Sequence, residues 1–327
     1  MPFDKTVFLP LDPDAVYQLI TQPERLRRWK TVAARVDLRV GGEYRWTIVP
    51  GHSAAGTYKE IEPGKRVVFT WGWEGAPDLP PGASTVSITL DAVEGGTNLR
   101  LVHEGLTDEQ AASHAEGWNH YLDRLVEFGS AGEIGLDPWS AAPDPIDEFT
   151  SAEAALVILE RVLRTLTEAD LTKSTPCAEY NAAQLFDHLY DSIAKIGSAL
   201  GVQITDDLKA TPEVRIADLA QQTLEAFRKR GLAGTIDMGF AELPATIVAS
   251  ILSLEFLVHA WDFAEATGQK LEVSTVLSDY VLVLAHNTIT TQGRENGLFG
   301  AAVIIDESAE SLKRLIAFTG RQVSSAI

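Results

Sequence analysis

The chain has 327 residues, with 46 acidic against 27 basic side chains and a net charge of -19 at pH 7. Nucleic acids and anionic membranes repel such a chain, so neither is expected as a partner, and small molecules are favoured. The length predicts two domains. The single cysteine, Cys177, excludes an internal disulfide framework and is typical of a cytoplasmic protein. No signal peptide is visible, and Glu255 and His259 interrupt the most apolar stretch, so no membrane span is expected.

The first 135 residues predict an α+β domain. Asp12-Pro13-Asp14 has the pattern of a helix start, with a capping carboxylate followed by proline. Beyond residue 35 the apolar residues recur every second position, and glycine-containing turns separate the runs. Strands are predicted at about 36–40, 44–48, 56–61, 66–73, 84–90 and 98–103, and a closing helix at about 114–128. The sheet is expected to curl around that helix, because both elements have an apolar face to bury.

Several motifs of this domain, taken in their order along the chain, resemble those of a known superfamily. They are Trp29, Asp37-Leu38-Arg39-Val40-Gly41-Gly42, Phe69-Thr70-Trp71, Gly95-Gly96-Thr97, His103 and Gly117-Trp118. The domain resembles the START-like (SRPBCC) superfamily, and more narrowly the branch related to the activator of Hsp90 ATPase. The resemblance implies a helix-grip (START/Bet v 1-like) fold over residues 1–135. It also implies a cavity between the sheet and the long helix that holds a hydrophobic, polyketide-like ligand.

Large aromatic side chains are frequent in this domain and provide the candidate ligand-binding residues. The candidates are Trp46, Trp71, Trp73, His103, Trp118 and Tyr121. Aromatic residues at such spacing equally form ordinary core, and His103 equally fits a buried histidine with satisfied hydrogen bonds. No nucleophile with an adjacent base is visible, so catalysis within this domain is not predicted.

Residues 136–150 contain three prolines and no apolar period, which predicts an extended linker. Thr150 with Glu153 has the pattern of a capping box. The apolar periods that follow predict an all-α four-helix bundle within residues 151–327, with helices near 150–166, 181–200, 212–227 and 246–267. A fifth helix at about 274–291, a strand at 302–305 and a last helix at 310–318 complete the prediction.

Ionisable residues interrupt the apolar faces of two of these helices. Glu255 and His259 are four residues apart and so share one helix face, and His188 lies on the apolar stripe of another helix. Burying a carboxylate and imidazoles costs several kcal/mol unless they are compensated. A metal ion would compensate all three, since these are ordinary zinc ligands. A hydrogen bond between glutamate and histidine within the core is the alternative.

A second resemblance covers about residues 151–321. Thr175-Pro176-Cys177, Asp187-His188-Leu189, the segment 255–262 and Ala266-Thr267-Gly268 resemble the DinB-like bundles. The branch is the metal-binding domain of mycothiol-dependent maleylpyruvate isomerase. It implies that His188, Glu255 and His259 bind a divalent metal, and that a low-molecular-weight thiol is a cofactor. Zinc is preferred, and nickel, cobalt, manganese or iron would also suit the donor set.

Two further residues have alternative interpretations. Asp262 is either a hydrogen-bond partner of the metal ligand His259 or a solvated helix carboxylate. Arg294 either binds a substrate carboxylate or coats the surface. Cys177 is interpreted as a small buried residue of a turn.

Three functions follow from these features. The first is metal-dependent, thiol-dependent transferase or isomerase chemistry. The second is non-catalytic sequestration of a natural product, with a structural metal. The third is a cochaperone-like interaction module. The sequence predicts no oligomeric state.

Overall fold

The structure is a computed structural model that describes residues 2–297 and 299–323. The chain divides into two compact units, residues 1–137 and 138–327. Each unit is described by itself.

The first unit contains one antiparallel sheet of seven strands. The strands are β1 (Phe3–Leu9), β2 (Ala33–Val36), β3 (Glu43–Val49), β4 (His52–Glu62), β5 (Arg66–Trp71), β6 (Ser84–Val93) and β7 (Gly96–Glu104). Their order in the sheet is β1-β7-β6-β5-β4-β3-β2, so every neighbouring pair after β1 is joined by a direct connection. This order places β1 at one edge of the sheet, beside β7, the last strand of this unit.

Three helices complete this unit: α1 (Pro13–Thr21), α2 (Pro23–Trp29) and α3 (Asp108–Ala131). Asp12 caps α1 as predicted, since its side chain accepts from the Ala15 N–H. The long helix α3 begins at a Thr107–Gln110 capping box and buries Trp118, Leu122 and Leu125 against the sheet residues of a single core. A sheet packed on one long helix fits the predicted helix-grip fold.

Two details of the sheet differ from the prediction. β1 was not predicted, and it pairs with β7 from Phe3↔His103 to Leu9↔Thr97. The predicted strand at 36–40 is wrong, because β2 ends at Val36 and the chain then turns. Asp37 N–H donates to the Glu43 carbonyl at 2.9 Å, and Gly41 has a φ of +78°. Consequently Leu38 and Val40 are exposed instead of buried.

The second unit is mainly helical. Its helices are α4 (Pro138–Ala141), α5 (Glu148–Arg164), α6 (Ala182–Ala199), α7 (Pro212–Arg230), α8 (Ala245–Thr267), α9 (Thr275–Thr288), α10 (Thr291–Glu295) and α11 (Ser311–Phe318). α5 packs against α7 and α8, and α6 packs against the same two helices. α9 contacts α8 and α11. The four longest helices therefore form the bundle that the sequence predicts.

Several local predictions in this unit are wrong. Asp147, not Thr150, caps α5, and Thr150 takes the third helical position of that capping box. Residues 138–141, within the predicted linker, form α4. Residues 302–305 form no strand. Conversely, β8 (Thr235–Asp237) and β9 (Glu242–Pro244) form a small hairpin, so the unit is not purely helical.

Helix α8 is the central element of the second unit. It is apolar around its whole circumference, and by length and composition alone it would be long enough to cross a membrane. However, 78% of its most apolar window is buried inside the protein. Burial on all sides is what a core helix requires, so packing accounts for its composition.

Candidate functional site

Three ionisable side chains meet where α6 packs on α8. His188 comes from α6, whereas Glu255 and His259 come from α8 and lie one turn apart. One ligand-type atom from each lies within 4.8 Å of the other two. Glu255 Oε2 is 3.4 Å from His259 Nε2 and 3.9 Å from His188 Nε2. The structure thus brings together the three side chains that the sequence predicts as metal ligands.

One oxygen of this cluster lacks a hydrogen bond. Glu255 Oε2 is buried and has no hydrogen-bond partner among the described residues, although two imidazole nitrogens are nearby. A buried carboxylate oxygen usually has a partner, because leaving it unsatisfied costs about 1–3 kcal/mol. Two imidazole nitrogens and one carboxylate oxygen are the donor set of three-ligand zinc sites. The residues present therefore fit a divalent metal ion.

Asp262 and Arg321 form a hydrogen-bond network on the Nδ1 side of His259. The His259 Nδ1–H donates to Asp262 Oδ2 at 2.9 Å, and Asp262 is fully buried. Arg321 donates to the same carboxylate through Nη2 at 2.8 Å and Nε at 3.1 Å. Because Nδ1 is bonded to Asp262, Nε2 is the ring nitrogen that faces Glu255 and His188. The alternative interpretation of Asp262 as a solvated carboxylate is therefore wrong.

Electrostatics in this cluster follow from burial and pairing. Burial would raise the pKa of the Asp262 carboxyl, but its hydrogen bonds to His259 and Arg321 outweigh that effect and lower it. Burial likewise opposes the charged form of His259, yet the hydrogen bond to Asp262 and the negative charge of the nearby Glu255 raise the pKa of that imidazole. His188, which stacks on Tyr180 at 5.1 Å, has its pKa lowered by burial. Arg321 is the member of this network that the sequence did not indicate.

Arg294 and Cys177 have other environments. Arg294 donates to the carbonyl oxygens of Gly300 and Phe318, the latter at 2.7 Å, which occupies its guanidinium with backbone contacts. Cys177 is partly exposed, and burial raises the pKa of its thiol to about 11. The neutral thiol is a poor nucleophile at neutral pH.

In the first unit, five of the six predicted ligand-binding residues form one connected cluster around Trp71. Trp71 contacts Trp46, Trp73, His103 and Trp118 with ring centroids 5.2–6.2 Å apart. Tyr121 is buried on α3 and packs on His120 at 4.9 Å.

His103 is the hydrogen-bonding centre of this aromatic cluster. Its Nδ1 accepts from Trp118 Nε1 at 3.0 Å, and its Nε2–H donates to Ser84 Oγ at 2.8 Å. The Ser84 hydroxyl donates in turn to the Trp71 carbonyl at 3.1 Å. Burial lowers the pKa of His103 to about 3, so the ring is neutral. His103 thus has both ring nitrogens satisfied.

His114 is a second neutral histidine, one that the sequence did not suggest. Its Nδ1–H donates to the Gln110 carbonyl at 2.8 Å, so Nε2 is free to accept. It accepts from Trp71 Nε1 at 3.2 Å and from Trp73 Nε1 at 3.1 Å. Burial lowers the pKa of His114, which agrees with this tautomer.

A small cavity lies between the sheet and α3, beside this cluster. Its volume is about 10 Å³, which corresponds to about one water molecule. Trp46 and Trp118 line it, and so does Lys30, whose side chain is 6% exposed. Large aromatic side chains fill most of the space that the fold provides. A ligand larger than water enters only if the surrounding side chains move.

Two solved structures and one curated protein are similar to parts of the chain. An AHSA1-like protein from Rhizobium etli is 38% identical, with 42% of this chain and 88% of that protein covered at a TM-score of 0.36. DynU16, from the dynemicin biosynthetic locus, is 21% identical at a TM-score of 0.39, covering 43% of this chain. The chain spans about half of DynU16, 51% of its length.

The curated protein is Rv0738 of Mycobacterium tuberculosis, described as uncharacterized. It is 26% identical over 187 residues, which are 55% of this chain and 99% of Rv0738. Because the first unit has only 137 residues, this match includes part of the second unit.

The family comparison covers the first unit. Residues 10–129 match the model of the Activator of Hsp90 ATPase homolog 1-like protein family. The match runs from just before α1 to most of α3, so it includes strands β2 to β7 but not β1, and with them the aromatic cluster and the cavity. The N-terminal part of this chain is therefore an AHSA1-like domain of the START-like superfamily.

Proposed function

We propose that the second unit binds one divalent metal ion through His188, Glu255 and His259 and uses it to bind a small thiol. The observation that carries the proposal is the convergence of these three donor atoms within 4.8 Å. Three protein ligands are the number found in catalytic zinc sites, which keep one position for water or substrate.

The surroundings of the ligands support this proposal. Asp262, held by Arg321, fixes the tautomer of His259 so that Nε2 is available to a metal. A carboxylate behind a metal-binding histidine is the usual supporting partner of such sites. His188 has a partly exposed side chain, at 35%, so the cluster is accessible from solvent on the α6 side.

The choice of metal and cofactor rests on the donor set and the resemblance. Zinc suits two imidazoles and a carboxylate, and nickel, cobalt, manganese or iron would also bind them. When bound, such an ion supplies a positive charge that lowers the pKa of a coordinated thiol and yields thiolate. The resemblance to mycothiol-dependent DinB-like domains motivates the choice of a low-molecular-weight thiol as the bound molecule.

The experiment is metal analysis of the purified full chain and of two matched variants. Glu255→Gln and Glu265→Gln change the same residue type on the same helix, but Glu265 is exposed and outside the cluster. We expect about one equivalent of zinc in the wild type and in Glu265→Gln, and at least a tenfold loss of affinity in Glu255→Gln. Equal metal content in both variants, or none in the wild type after incubation with zinc and nickel, contradicts the proposal.

A second function is favoured for the first unit, namely binding of an apolar small molecule. The observation behind it is the cavity between sheet and helix, which is lined by Lys30 and by Trp46, whose indole N–H has no acceptor among the described residues. The alternative that the family name suggests, a cochaperone-like interaction module, does not require the cavity. Small-molecule binding predicts that a ligand shifts the NMR signals of the indole N–H groups around the cavity.

A further inference from the structure

Lys30 is a buried lysine without an anionic partner. It follows α2 directly, its backbone N–H donates to the Leu26 carbonyl at 3.0 Å, and the residue is buried. Its Nζ lies 4.3 Å from the ring centroid of Trp118, 4.4 Å from that of Trp46 and 5.1 Å from that of Trp71. In residues 2–297 and 299–323, no carboxylate forms an ion pair with this nitrogen.

The aromatic rings offset part of the cost of burying an ammonium. Each cation–π contact contributes about 0.5–2 kcal/mol, and removing an ammonium from water costs several kcal/mol. Burial accordingly lowers the pKa of Lys30 well below its ordinary value. The titratable group whose charge couples to it is His103, which is itself neutral. The lowered pKa increases the fraction of the amine that is neutral and has a free lone pair.

The cavity gives this nitrogen an apolar reaction space. The ten other lining residues are all aliphatic or tryptophan, from α1, α2, α3 and the sheet. Such surroundings exclude bulk water. A desolvated lysine in a hydrophobic pocket is the arrangement that makes an amine nucleophilic toward carbonyl compounds.

Trp46 provides a second unsatisfied group on the same cavity. Its indole Nε1–H is buried and has no acceptor in the part of the chain that the structure describes. The other four tryptophans of this unit all donate, to Leu19, His114 or His103. Because buried donors are normally paired, the Trp46 N–H indicates a missing acceptor such as a ligand oxygen.

We propose that Lys30 forms an imine with the aldehyde or ketone group of an apolar ligand that enters this cavity. The proposal rests on the small-molecule binding proposed for the first unit. It specifies the ligand class, a carbonyl compound with an apolar body, and it assigns Lys30 as the residue that reacts.

The reaction is a condensation and needs no oxidant or reductant. The Nζ lone pair attacks the carbonyl carbon, a C–N bond forms, and the carbonyl oxygen takes up a proton. The resulting carbinolamine loses its hydroxyl together with the remaining N–H proton as water, which leaves a C=N bond. The Trp46 N–H would donate to the carbonyl oxygen and polarise it before attack. Apolar surroundings then protect the imine from hydrolysis.

Reductive trapping tests the proposal on the full chain. The protein is treated at pH 7 with butanal and cyanoborohydride, and modified lysines are located by peptide mass spectrometry. We expect a butyl group on Lys30 at least about tenfold faster than on the exposed Lys59, since each unit of lowered pKa raises the neutral fraction tenfold. Lys59→Met should retain the fast modification and Lys30→Met should lose it. A Lys30 peptide that reacts no faster than that of Lys59 overturns the proposal.

A second measurement separates the imine from binding itself. The indole N–H signals of the tryptophans are followed by NMR with butanal and with 1-butanol, which cannot condense. If both compounds shift the Trp46 signal but Lys30 is not trapped, the cavity binds small molecules and the imine is wrong. If neither compound shifts it and no trapping occurs, both the imine and the small-molecule function of this unit are wrong.

Discussion

The two units bury ionisable groups in opposite ways. In the second unit His259, Asp262 and Arg321 are buried together, and each charge has a hydrogen-bonded partner. In the first unit Lys30 is buried among tryptophan rings with no counter-ion among the described residues. Compensation favours the charged form of a buried group, whereas its absence favours the neutral form. The first arrangement orients the side chains that we propose as metal ligands, and the second surrounds the amine that we propose to react.

The largest expected effect comes from breaking the compensated network. Asp262→Ala leaves the Arg321 guanidinium, 8% exposed, buried without its carboxylate. The free energy of unfolding of the second unit should fall by about 3–5 kcal/mol. Denaturant unfolding followed by far-ultraviolet circular dichroism measures this, since helices dominate that signal.

Glu272→Ala is the control for this prediction. It removes an exposed carboxylate that is paired with Lys270, and it should change the free energy by less than about 1 kcal/mol. A loss for Asp262→Ala as small as that of the control would mean that the network does not compensate Arg321.

Replacing His103 is expected to lower the free energy of unfolding by an intermediate amount. His103→Phe removes the acceptor of the Trp118 N–H and the donor to Ser84, so the first unit should lose about 1–3 kcal/mol. His52→Phe, at an exposed position of the same unit, should have little effect. Melting of the indole N–H signals reports the stability of this unit.

The same residue predicts a pH dependence. The pKa of His103 is about 3 in the folded protein and about 6.5 when unfolded. Between these values the unfolded chain binds more protons, so the free energy of unfolding falls as the pH falls, by up to about 1.4 kcal/mol per pH unit. His103→Phe should flatten this slope, and an unchanged slope would contradict a neutral buried His103. His114, whose pKa is also lowered, should keep part of the slope.

Lys30→Met should have the smallest effect on the free energy of unfolding, and it should stabilise the protein where the other substitutions destabilise it. Methionine fills similar volume without a buried amine, so the free energy of unfolding should rise by about 1 kcal/mol at neutral pH. Because burial lowers the pKa of Lys30, the unfolded wild type binds more protons than the folded protein between the folded pKa of Lys30 and about pH 10.4. Wild-type stability should therefore rise with pH from the folded pKa of Lys30 upward, and the Met variant should lack this rise. A destabilised variant would indicate that the amine is charged and compensated.

The sequence predicts the three proposed metal ligands because polar residues interrupt a strong apolar period there. Glu255 and His259 are conspicuous in the most apolar helix of the chain. Arg321 gives no such signal, since it follows the last helix and reaches Asp262 only through the tertiary fold. The sequence also left the burial of Asp262 open, because α8 is apolar on all sides and no face could be assigned to solvent.

Lys30 was not predictable for a related reason. It ends a basic segment, Arg25-Leu26-Arg27-Arg28-Trp29-Lys30, and nothing local distinguishes the buried cations, Arg27 and Lys30, from the others. The edge strand β1 was missed because its alternating residues lie only partly buried and its partner, β7, is about ninety residues away. The predicted strand at 302–305 has an apolar sequence, but within the described residues it pairs with no strand of either sheet.

The tryptophan cluster has a spectroscopic consequence. Five of the seven tryptophans, at positions 29, 46, 71, 73 and 118, belong to the first unit, and only positions 139 and 261 belong to the second. Trp71 lies 5.2 Å from Trp118 and 5.4 Å from Trp73, so their excited states are coupled. Intrinsic tryptophan fluorescence is therefore dominated by the unit that contains Lys30. Excitation energy migrates among the tryptophan rings that contact the Lys30 amine. Tryptophan fluorescence therefore reports on the surroundings of the Lys30 nitrogen without an added label.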